Sequence, residues 1–448
     1  MADIKGELKI SVGRLELGMH VIRLDRPWEE TDFLMQGFVI HNSDTIEALA
    51  RQCEFVFIET TTHDTTEYKT DRRKQKQGLF ARTSKRKTPT PNRAPTLSTE
   101  DPQSPPPESR KVTYTNKIST EAELPRARDS YSSAKTSVKN IMDGIRIGRA
   151  VDMNGAREVV DDIVEGLLRN KDALAWLTKI KNKDEYTAEH SLNVSILSAT
   201  FARHLGHSEI DIKKIALGGL LHDVGKASIP DEILNKEGRF NDEEYEIMKR
   251  HTVLGRNLLM SVPNKDYSSI DIAHCHHERV DGRGYPRQLK AHQIPYFAKV
   301  VGLADAYDAI TSSRCYDNAR ASMEALDIIY KCKGVQFDEK LALEFIKCIG
   351  IYPPGSIVEL KGGEVGIVIN SNDKNKLKPK VLLVLDNNKK LTQEKVVDLS
   401  KTLPEKTGLD IKRELTNGSF GIYLEEYIQR GLTIKRTTPS APQQKTLQ

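Results

Sequence analysis

Aromatic and large apolar residues are scarce in this sequence. Only 6% of its 448 residues are Phe, Trp or Tyr, and 38% are hydrophobic. These values are low for a chain that folds throughout, so they predict a sizeable polar segment without a core of its own. At this length, two or three domains are the natural expectation.

Cysteines are few, and long apolar runs are missing. The five cysteines are scattered without paired spacing, which gives no sign of a disulfide framework (Cys53, Cys275, Cys315, Cys332 and Cys348). No apolar run approaches the ~20 residues that a membrane-spanning helix needs. The first ten residues, MADIKGELKI, lack the apolar region of a signal peptide. Together these features predict a cytoplasmic protein in a reducing compartment.

A strong charge of one sign is also absent. The formal net charge is +5, from 68 basic and 63 acidic residues, so the whole-chain charge does not indicate a nucleic-acid-binding protein. Basic tracts occur at 72–76 and 85–87. Neither aromatic residues nor an amphipathic helical pattern accompanies them, so we interpret both tracts as parts of a solvated linker.

Composition and periodicity divide the chain into five segments. Residues 1–64 contain short runs rich in Val, Ile and Phe, which predict a small β-rich module. Residues 65–129 are dominated by Lys, Arg, Thr, Ser, Pro and Gln and predict a disordered linker. Residues 130–350 are predicted to be helical. Residues 351–436 return to short strands and predict a small β domain, and residues 437–448 predict a disordered tail.

The predicted fold class is therefore mainly α. Within 130–350, apolar residues recur at spacings of three and four, for example over 190–205, 210–221 and 242–260. Each of these stretches is expected to form one helix. The whole is predicted to be an all-helical bundle flanked by two small β units.

The first motif with chemical content is the run from His222 to Lys226, at the end of an apolar helical pattern. Neighbouring helical side chains point in different directions, so His222 and Asp223 would not normally bind one ion. They become useful together in a two-metal centre, where a carboxylate bridges both ions. Lys226 would add a cation suited to a phosphate.

The second motif is a doubled histidine, His276-His277, followed by a glycine-rich turn that contains Tyr285. Neutral imidazoles suit Fe, Mn, Zn and Ni. The glycines let the backbone pass close to a ligand, and Tyr285 can stack on it or hydrogen-bond to it.

These motifs resemble the HD-GYP subgroup of the HD phosphohydrolase superfamily. The resemblance runs from about residue 186 to 316 and depends on His222-Asp223 with Gly225-Lys226, His276-His277-Glu278 and Gly284-Tyr285-Pro286. The N-terminal module is similar to the small domain often found ahead of such domains, in Gly18-Met19, 25–28 and 36–38.

The resemblance implies a set of metal ligands and substrate contacts. The implied ligands are His190, His222, Asp223, His251, His276, His277 and Asp305. Asp223 and Lys226 are the implied catalytic residues, and Lys226, Tyr285, Asp308 and Arg314 would contact the substrate. Because these ligands supply N and O atoms and no thiolate, Fe or Mn is expected rather than structural zinc.

The activity that the resemblance implies is hydrolysis of cyclic di-GMP to pGpG, which some members continue to GMP, by metal-activated hydroxide at a dinuclear centre. Two departures from the family pattern bear on this. Tyr186 occupies a position where some members have a Glu that holds a third metal, so two metals are expected. Asp317 stands where a basic residue is usual, so one phosphate contact is expected to be missing.

Two alternatives to this activity are considered. A cyclic-dinucleotide receptor with weak or no turnover remains an alternative because of Asp317 and the long linker. Hydrolysis of (p)ppGpp is disfavoured because Gly225 and Lys226 stand where such enzymes typically carry acidic residues. Cyclic di-GMP is the expected ligand, nucleic acid is not expected, and protein partners in bacterial signalling and a homodimer are left open.

Overall fold

The computed structural model describes residues 6–16, 19–25, 38–40, 43–60, 111–180, 186–236, 238–312, 321–372, 375–401 and 409–430. The chain divides into two compact units, Met1–Asp101 and Pro102–Gln448. Of the segments predicted from composition, residues 65–110 and the tail from 437 lie outside the described residues.

The first unit contains the predicted β-rich module. Its antiparallel sheet has the order β1-β4-β2-β3, with β1 at Gly6–Ser11, β2 at His20–Leu24, β3 at Phe38–Val39 and β4 at Phe55–Thr60. One helix, α1 at Ser43–Gln52, precedes β4. Alternate residues of the strands, such as Val56 and Ile58, are buried against Leu49 of α1, as expected for a sheet with one covered face.

The second unit is a bundle of helices, as predicted. Its helices are α2 (Thr120–Arg146), α3 (Met153–Arg169), α4 (Lys171–Leu177), α5 (Tyr186–Leu205), α6 (Glu209–Leu221), α7 (Asp231–Leu234), α8 (Asp242–Lys249), α9 (His251–Ser261), α10 (Tyr267–Cys275), α11 (Tyr296–Thr311), α12 (Ser322–Cys332) and α13 (Glu339–Ile349). Helix α5 lies at the centre of the bundle, where Leu192, Val194, Ile196 and Phe201 are fully buried. None of the helices in the described residues is long and apolar enough to span a bilayer.

Helix α2 corrects the predicted linker boundary. The linker was expected to extend to residue 129, but α2 begins at Thr120, where the Ser119 hydroxyl caps it by accepting a hydrogen bond from the Ala122 backbone N–H. Its residues Leu124, Ala127 and Tyr131 are buried in the bundle. The segment therefore has a narrow apolar stripe that its polar overall composition conceals.

The helix expected over 242–260 is also wrong in one respect. It is two helices, α8 and α9, which meet at Arg250. The break matters for the site because it places His251 at the first position of α9, where its direction is set by the start of a new helix.

The C-terminal segment forms the predicted β structure, but it shares a core with the bundle. Its antiparallel sheet has the order β8-β7-β6-β5-β9, with β5 at Ile357–Leu360, β6 at Val365–Asn370, β7 at Lys380–Leu385, β8 at Leu391–Asp398 and β9 at Ile411–Leu415. A short helix, α14 at Leu424–Arg430, follows. One sheet face, including Ile367 and Ile369, joins the helical core, and the buried Trp176 Nε1–H donates to the Ile369 carbonyl at 3.1 Å.

Candidate metal centre

Seven predicted metal ligands come together from five helices. His190 lies in α5, and Asp305 lies in α11. His222 caps the C-terminal end of α6 and Asp223 follows it, His251 begins α9, and His276 caps the C-terminal end of α10 with His277 next. Several ligands therefore stand at helix ends, where the chain changes direction and adjacent residues can face different ions.

Three of these residues form what we call the carboxylate cluster: His190, His222 and Asp305. His190 Nε2 lies 3.1 Å from Asp305 Oδ1, and His222 Nε2 lies 3.9 Å from the same oxygen. All three side chains are buried. The two imidazole nitrogens and the carboxylate oxygen thus face one small space.

Three others form the imidazole cluster: His251, His276 and His277. His251 Nε2 and His276 Nε2 are 3.3 Å apart, and the ring centroids of His276 and His277 are separated by 4.1 Å. His251 and His276 are buried, whereas the His277 side chain keeps 28% of its exposure. This cluster therefore lies on the more open side of the centre.

Asp223 lies between the two clusters. Its Oδ2 is 3.1 Å from His222 Nε2 and 3.6 Å from His190 Nε2 on the carboxylate side. Its Oδ1 is 3.4 Å from His251 Nε2 and 3.8 Å from His276 Nε2 on the imidazole side. One carboxylate thus offers a different oxygen to each cluster, which is the arrangement of a bridging ligand.

Hydrogen bonds at the opposite ring nitrogens orient the histidines. His222 Nδ1 lies 2.7 Å from the Gly219 carbonyl, and His251 Nδ1 lies 2.7 Å from the Met248 carbonyl. A carbonyl accepts only, so Nδ1 carries the proton in each case and Nε2 keeps a free lone pair directed at the centre. His276 Nδ1 faces the Ile272 and Ala273 carbonyls in the same way, at 3.1 Å each.

His190 differs because a carboxylate takes the place of the carbonyl. Asp308 Oδ2 lies 2.8 Å from His190 Nδ1 and also accepts from the Ser312 hydroxyl at 3.3 Å. The Asp308 side chain is buried behind the histidine. The carboxylate thus orients a candidate ligand, and the substrate contact that the resemblance implied for Asp308 stays a prediction.

The pKa values of the histidines are shifted in opposite directions in the two clusters. Burial lowers the pKa of His251 to about 4 and that of His277 to about 3, so both imidazoles are neutral near pH 7. Burial also acts to lower the pKa of His190, but its hydrogen bonds to Asp305 and Asp308 outweigh burial and raise it to about 9.

The two carboxylates of the centre are ionised. Burial acts to raise the pKa of Asp223, but the charges of His222 and Lys226 outweigh it and hold that pKa well below its usual range. The pKa of Asp305 is likewise well below its usual range, because the hydrogen bond from His190 outweighs burial. Metal binding requires ionised carboxylates and neutral imidazoles, so the carboxylates and the imidazole cluster are ready for an ion, whereas His190 must first release a proton.

Two buried atoms support metal binding independently. His222 Nε2 and Asp223 Oδ1 are shielded from solvent and have no hydrogen-bond partner among the described residues. Leaving such polar atoms unsatisfied is costly unless a ligand meets them. His222 and Asp223 also form, together with His276, a third set of residues whose ligand atoms lie close enough to share an ion. The residues present therefore fit divalent metal ions.

Lys226 lies beside the bridging carboxylate, with Nζ 2.6 Å from Asp223 Oδ2. Its side chain retains 22% of its exposure, so the ammonium group remains accessible at the edge of the centre. Gly225, which precedes it, allows this approach. A Cβ at Gly225 would lie 1.9 Å from the His251 carbonyl oxygen, so only glycine lets this segment pack against α9.

The glycine-rich turn brings Tyr285 to the imidazole cluster, where its ring centroid is 4.7 Å from that of His277. Glu278 holds the turn, since its two carboxylate oxygens accept from the Arg287 and Leu289 backbone N–H groups at 2.7 and 2.9 Å. The sequence interpretation assigned Glu278 no role. Its adjacency to the doubled histidine was the only signal, and a buried Glu beside a turn commonly binds backbone N–H groups.

Three residues of the sequence interpretation cannot be placed. Arg314 and Asp317 lie outside the described residues. The backbone of Tyr186 begins α5, but its side chain is not described, so the choice between two and three metals stays a prediction.

Comparison with known proteins adds an independent result. Residues 172–341 match the family model of the HD domain, and residues 7–156 match a domain of unknown function (DUF3391). The second match covers the β-rich module and also extends over α2.

Three relatives illustrate the similarity. A cyclic di-GMP phosphodiesterase of Pseudomonas aeruginosa is 35% identical over 286 residues, which are 64% of this chain and 69% of that protein. A cyclic di-GMP phosphodiesterase of Thermotoga maritima is 40% identical over 37% of this chain and 45% of its own. A 3'3'-cGAMP-specific phosphodiesterase of Vibrio cholerae is 34% identical over 35% of this chain and 36% of its own.

The Pseudomonas protein is matched over more than two thirds of its length. That similarity agrees with the seven predicted ligands that the fold brings together and with the two motifs that contain several of them. The chain belongs to the HD-GYP family of HD-domain phosphodiesterases.

Proposed function

We propose that the protein is a metal-dependent phosphodiesterase that hydrolyses cyclic di-GMP to the linear dinucleotide pGpG. The observation that carries the proposal is the position of Asp223, whose two oxygens are divided between two clusters of ligand atoms. A phosphodiester has two non-bridging oxygens, so a pair of ions held by one carboxylate matches it. Two relatives that are named cyclic di-GMP phosphodiesterases support the choice of substrate.

The ions would be held by the seven ligands described above. When bound, two divalent ions would polarise the phosphodiester and lower the pKa of a water molecule. Iron or manganese is the proposed metal, because the donor set consists of imidazoles and carboxylates. Cys275 lies next to His276, but burial raises the pKa of its thiol and keeps it from supplying a thiolate.

The remaining residues prepare the substrate. Lys226 places a cation at the edge of the centre, where it can neutralise charge that develops on the phosphate. Asp308 accepts a hydrogen bond from His190 Nδ1–H, which keeps Nε2 directed inward. Tyr285, beside His277, supplies an aromatic surface at the open side.

A direct experiment tests the substrate and the metal together. The protein is purified without oxygen, its metal content is measured, and cyclic di-GMP and 3'3'-cGAMP are offered separately with Mn²⁺ or Fe²⁺. We expect hydrolysis of cyclic di-GMP with pGpG as the first product, and chromatography over time shows whether GMP follows. Preference for 3'3'-cGAMP would overturn the substrate assignment. Tight binding without turnover would instead favour a receptor.

A cytoplasmic location is also proposed, on the basis of the cysteines. Two of them, Cys275 and Cys332, are free thiols in the described residues, and Cys315 lies outside these. Free, partly buried thiols are usual in a reducing compartment. Fractionation of cells that produce the protein, followed by thiol labelling, checks this.

A further inference from the structure

Beyond the metal ligands, an aromatic side chain stands exposed near the open side of the centre. Tyr245 lies in α8 and retains 47% of its exposure. Helix α8 is short, but a capping box stabilises its N-terminus. The Asn241 side chain accepts a hydrogen bond from the Glu244 backbone N–H, and the Glu244 side chain accepts one from the Asn241 backbone N–H. An exposed tyrosine on a well-capped helix is held in place without being buried.

Rings connect Tyr245 to the metal ligands. The Tyr245 and Tyr285 centroids are 6.3 Å apart, with the rings nearly perpendicular at 79°. Tyr285 in turn lies 4.7 Å from His277 and 6.3 Å from His251. Tyr245 is therefore the outermost ring of a series that starts at the imidazole cluster, and the edge-to-face contact leaves part of its own surface open to solvent.

A lysine accompanies the two tyrosines. Lys249 Nζ lies 5.3 Å from the Tyr245 ring centroid and 5.8 Å from that of Tyr285. It also pairs with Glu246 at 2.5 Å, and its side chain retains 24% of its exposure. The positive charge thus stands over both rings, where a planar, electron-rich group or a phosphate would meet it.

We propose that Tyr245 and Lys249 form a nucleobase-binding subsite, which rests on the proposed function because it requires a cyclic dinucleotide as substrate. With one phosphodiester at Lys226 and the proposed ions, the rest of the ring, two purine bases and a second phosphate, would extend to the open side. A base stacks on Tyr245, and Lys249 binds acceptor atoms of the base or the second phosphate. Aromatic stacking is sequence-tolerant, so the subsite recognises a purine in general.

The test uses two substrates in the metal-loaded full chain: cyclic di-GMP and methyl p-nitrophenyl phosphate, a phosphodiester without a nucleobase. Tyr245→Ala should raise KM for cyclic di-GMP about 10-fold, equivalent to about 1.4 kcal/mol, with little change in kcat. Lys249→Ala should raise KM for cyclic di-GMP several-fold. Neither variant should change hydrolysis of the p-nitrophenyl ester, since the reacting phosphate and its ligands are untouched.

Tyr330→Ala is the matched control. Tyr330 retains 51% of its exposure and has Lys333 Nζ at 4.6 Å from its ring, but it lies in α12 and outside the ring series. The Tyr330→Ala substitution should leave the hydrolysis of both substrates unchanged. An unchanged KM in Tyr245→Ala, or equal losses with both substrates, would overturn the subsite. A wild-type protein that cleaves the ester but no cyclic dinucleotide would overturn the proposed function and the subsite with it.

Discussion

The carboxylate cluster and the imidazole cluster share one bridging residue, yet they are built differently. The carboxylate cluster (His190, His222, Asp305) includes an ionised carboxylate of its own and has Asp308 behind His190. The imidazole cluster (His251, His276, His277) has three histidines, and backbone carbonyls lie behind two of them. One cluster is rich in negative charge and closed, and the other is close to neutral and partly open.

This difference assigns separate tasks to two adjacent sites. More negative ligands hold a divalent ion more strongly, so the carboxylate cluster is expected to retain its ion longer. The imidazole cluster has no carboxylate of its own and takes negative charge from Asp223 and from Asp305, whose Oδ2 lies 3.9 Å from His277 Nδ1. Its open side adjoins His277 and Tyr285. We therefore expect substrate to approach there and the second ion to exchange there. The predictions below test this division.

The largest effect should follow from removing the shared carboxylate. Asp223→Ala takes an oxygen from both clusters and leaves the imidazole cluster with the more distant carboxylate of Asp305, whose Oδ2 lies 3.9 Å from His277 Nδ1. Turnover should fall by more than about 10³-fold, beyond the loss of one charge-stabilising donor. Metal analysis should show a loss concentrated in the weaker of the two sites.

Asp231→Ala serves as the control for that variant. Asp231 is an exposed acidic residue at the start of α7, shortly after the motif and outside both clusters. It should keep full metal content and turnover. Near wild-type activity in Asp223→Ala would show that the two clusters do not depend on a shared carboxylate.

Lys226→Ala separates binding of the metals from stabilisation of the substrate. Because its ammonium contacts Asp223 from the edge of the centre, its loss should leave both clusters loaded while turnover falls about 10²-fold. Lys226→Arg, which keeps the charge, should recover part of the activity. Loss of the whole metal complement in Lys226→Ala would mean that the lysine supports the site rather than the substrate.

The sequence could predict which residues meet at the centre but not every contact that they make. Adjacent pairs such as His222-Asp223 cannot easily serve one ion, and this local constraint already indicated a two-metal centre with a bridging carboxylate. Asp308 follows Asp305 by three residues and so shares its helical face. That spacing cannot tell a carboxylate that contacts substrate from one that lies behind His190, because the distinction depends on the packing of α5 against α11.

The limits of the fold prediction have a similar cause. The apolar positions of α2, such as Leu124, Ala127 and Tyr131, recur at helical spacing but are diluted by Glu, Arg and Pro125. The polar average composition of this segment therefore predicted a linker, and the apolar face of α2 becomes evident where it packs in the bundle. The shared core of the C-terminal sheet was equally invisible, because contacts such as Trp176 with Ile369 join residues distant in sequence.

Asp308→Asn should weaken the carboxylate cluster alone. An amide at this position still fills the space but holds the His190 Nδ1 proton less strongly. Metal affinity of this cluster should fall about 10- to 100-fold, as is usual when a partner behind a metal-binding histidine is changed. Ser312→Ala, which removes only the longer contact to Asp308, should have a smaller effect. Equal loss from both clusters, measured by metal titration, would contradict the division.

The smallest expected effect concerns protons. In the metal-free protein the pKa of His190 is raised to about 9, whereas those of His251 and His277 are lowered to about 4 and about 3. Near pH 7, an ion entering the carboxylate cluster must therefore displace a proton from His190, while one entering the imidazole cluster displaces none. The affinity of the carboxylate cluster for its ion should rise up to about tenfold per pH unit until about pH 9. The affinity of the imidazole cluster should not change over this range.

The same pKa sets the stability of the metal-free protein. A raised folded-state pKa stabilises the fold fully below the ordinary histidine value and loses that contribution as pH rises through about 9. The stabilisation that results from the lowered pKa values of Asp223 and Asp305 does not change between neutral pH and pH 9, because both groups are ionised there in the folded and unfolded states. The chelated protein should therefore melt at a lower temperature at pH 9.5 than at pH 7.5, a range in which the histidines with lowered pKa values, such as His251 and His277, are neutral in both states. Calorimetric titration of Mn²⁺ in buffers of different ionisation enthalpy counts the released proton, which His190→Ala should abolish and His277→Ala should preserve. Equal proton release in both variants would show that the two clusters do not differ in charge as the structure indicates.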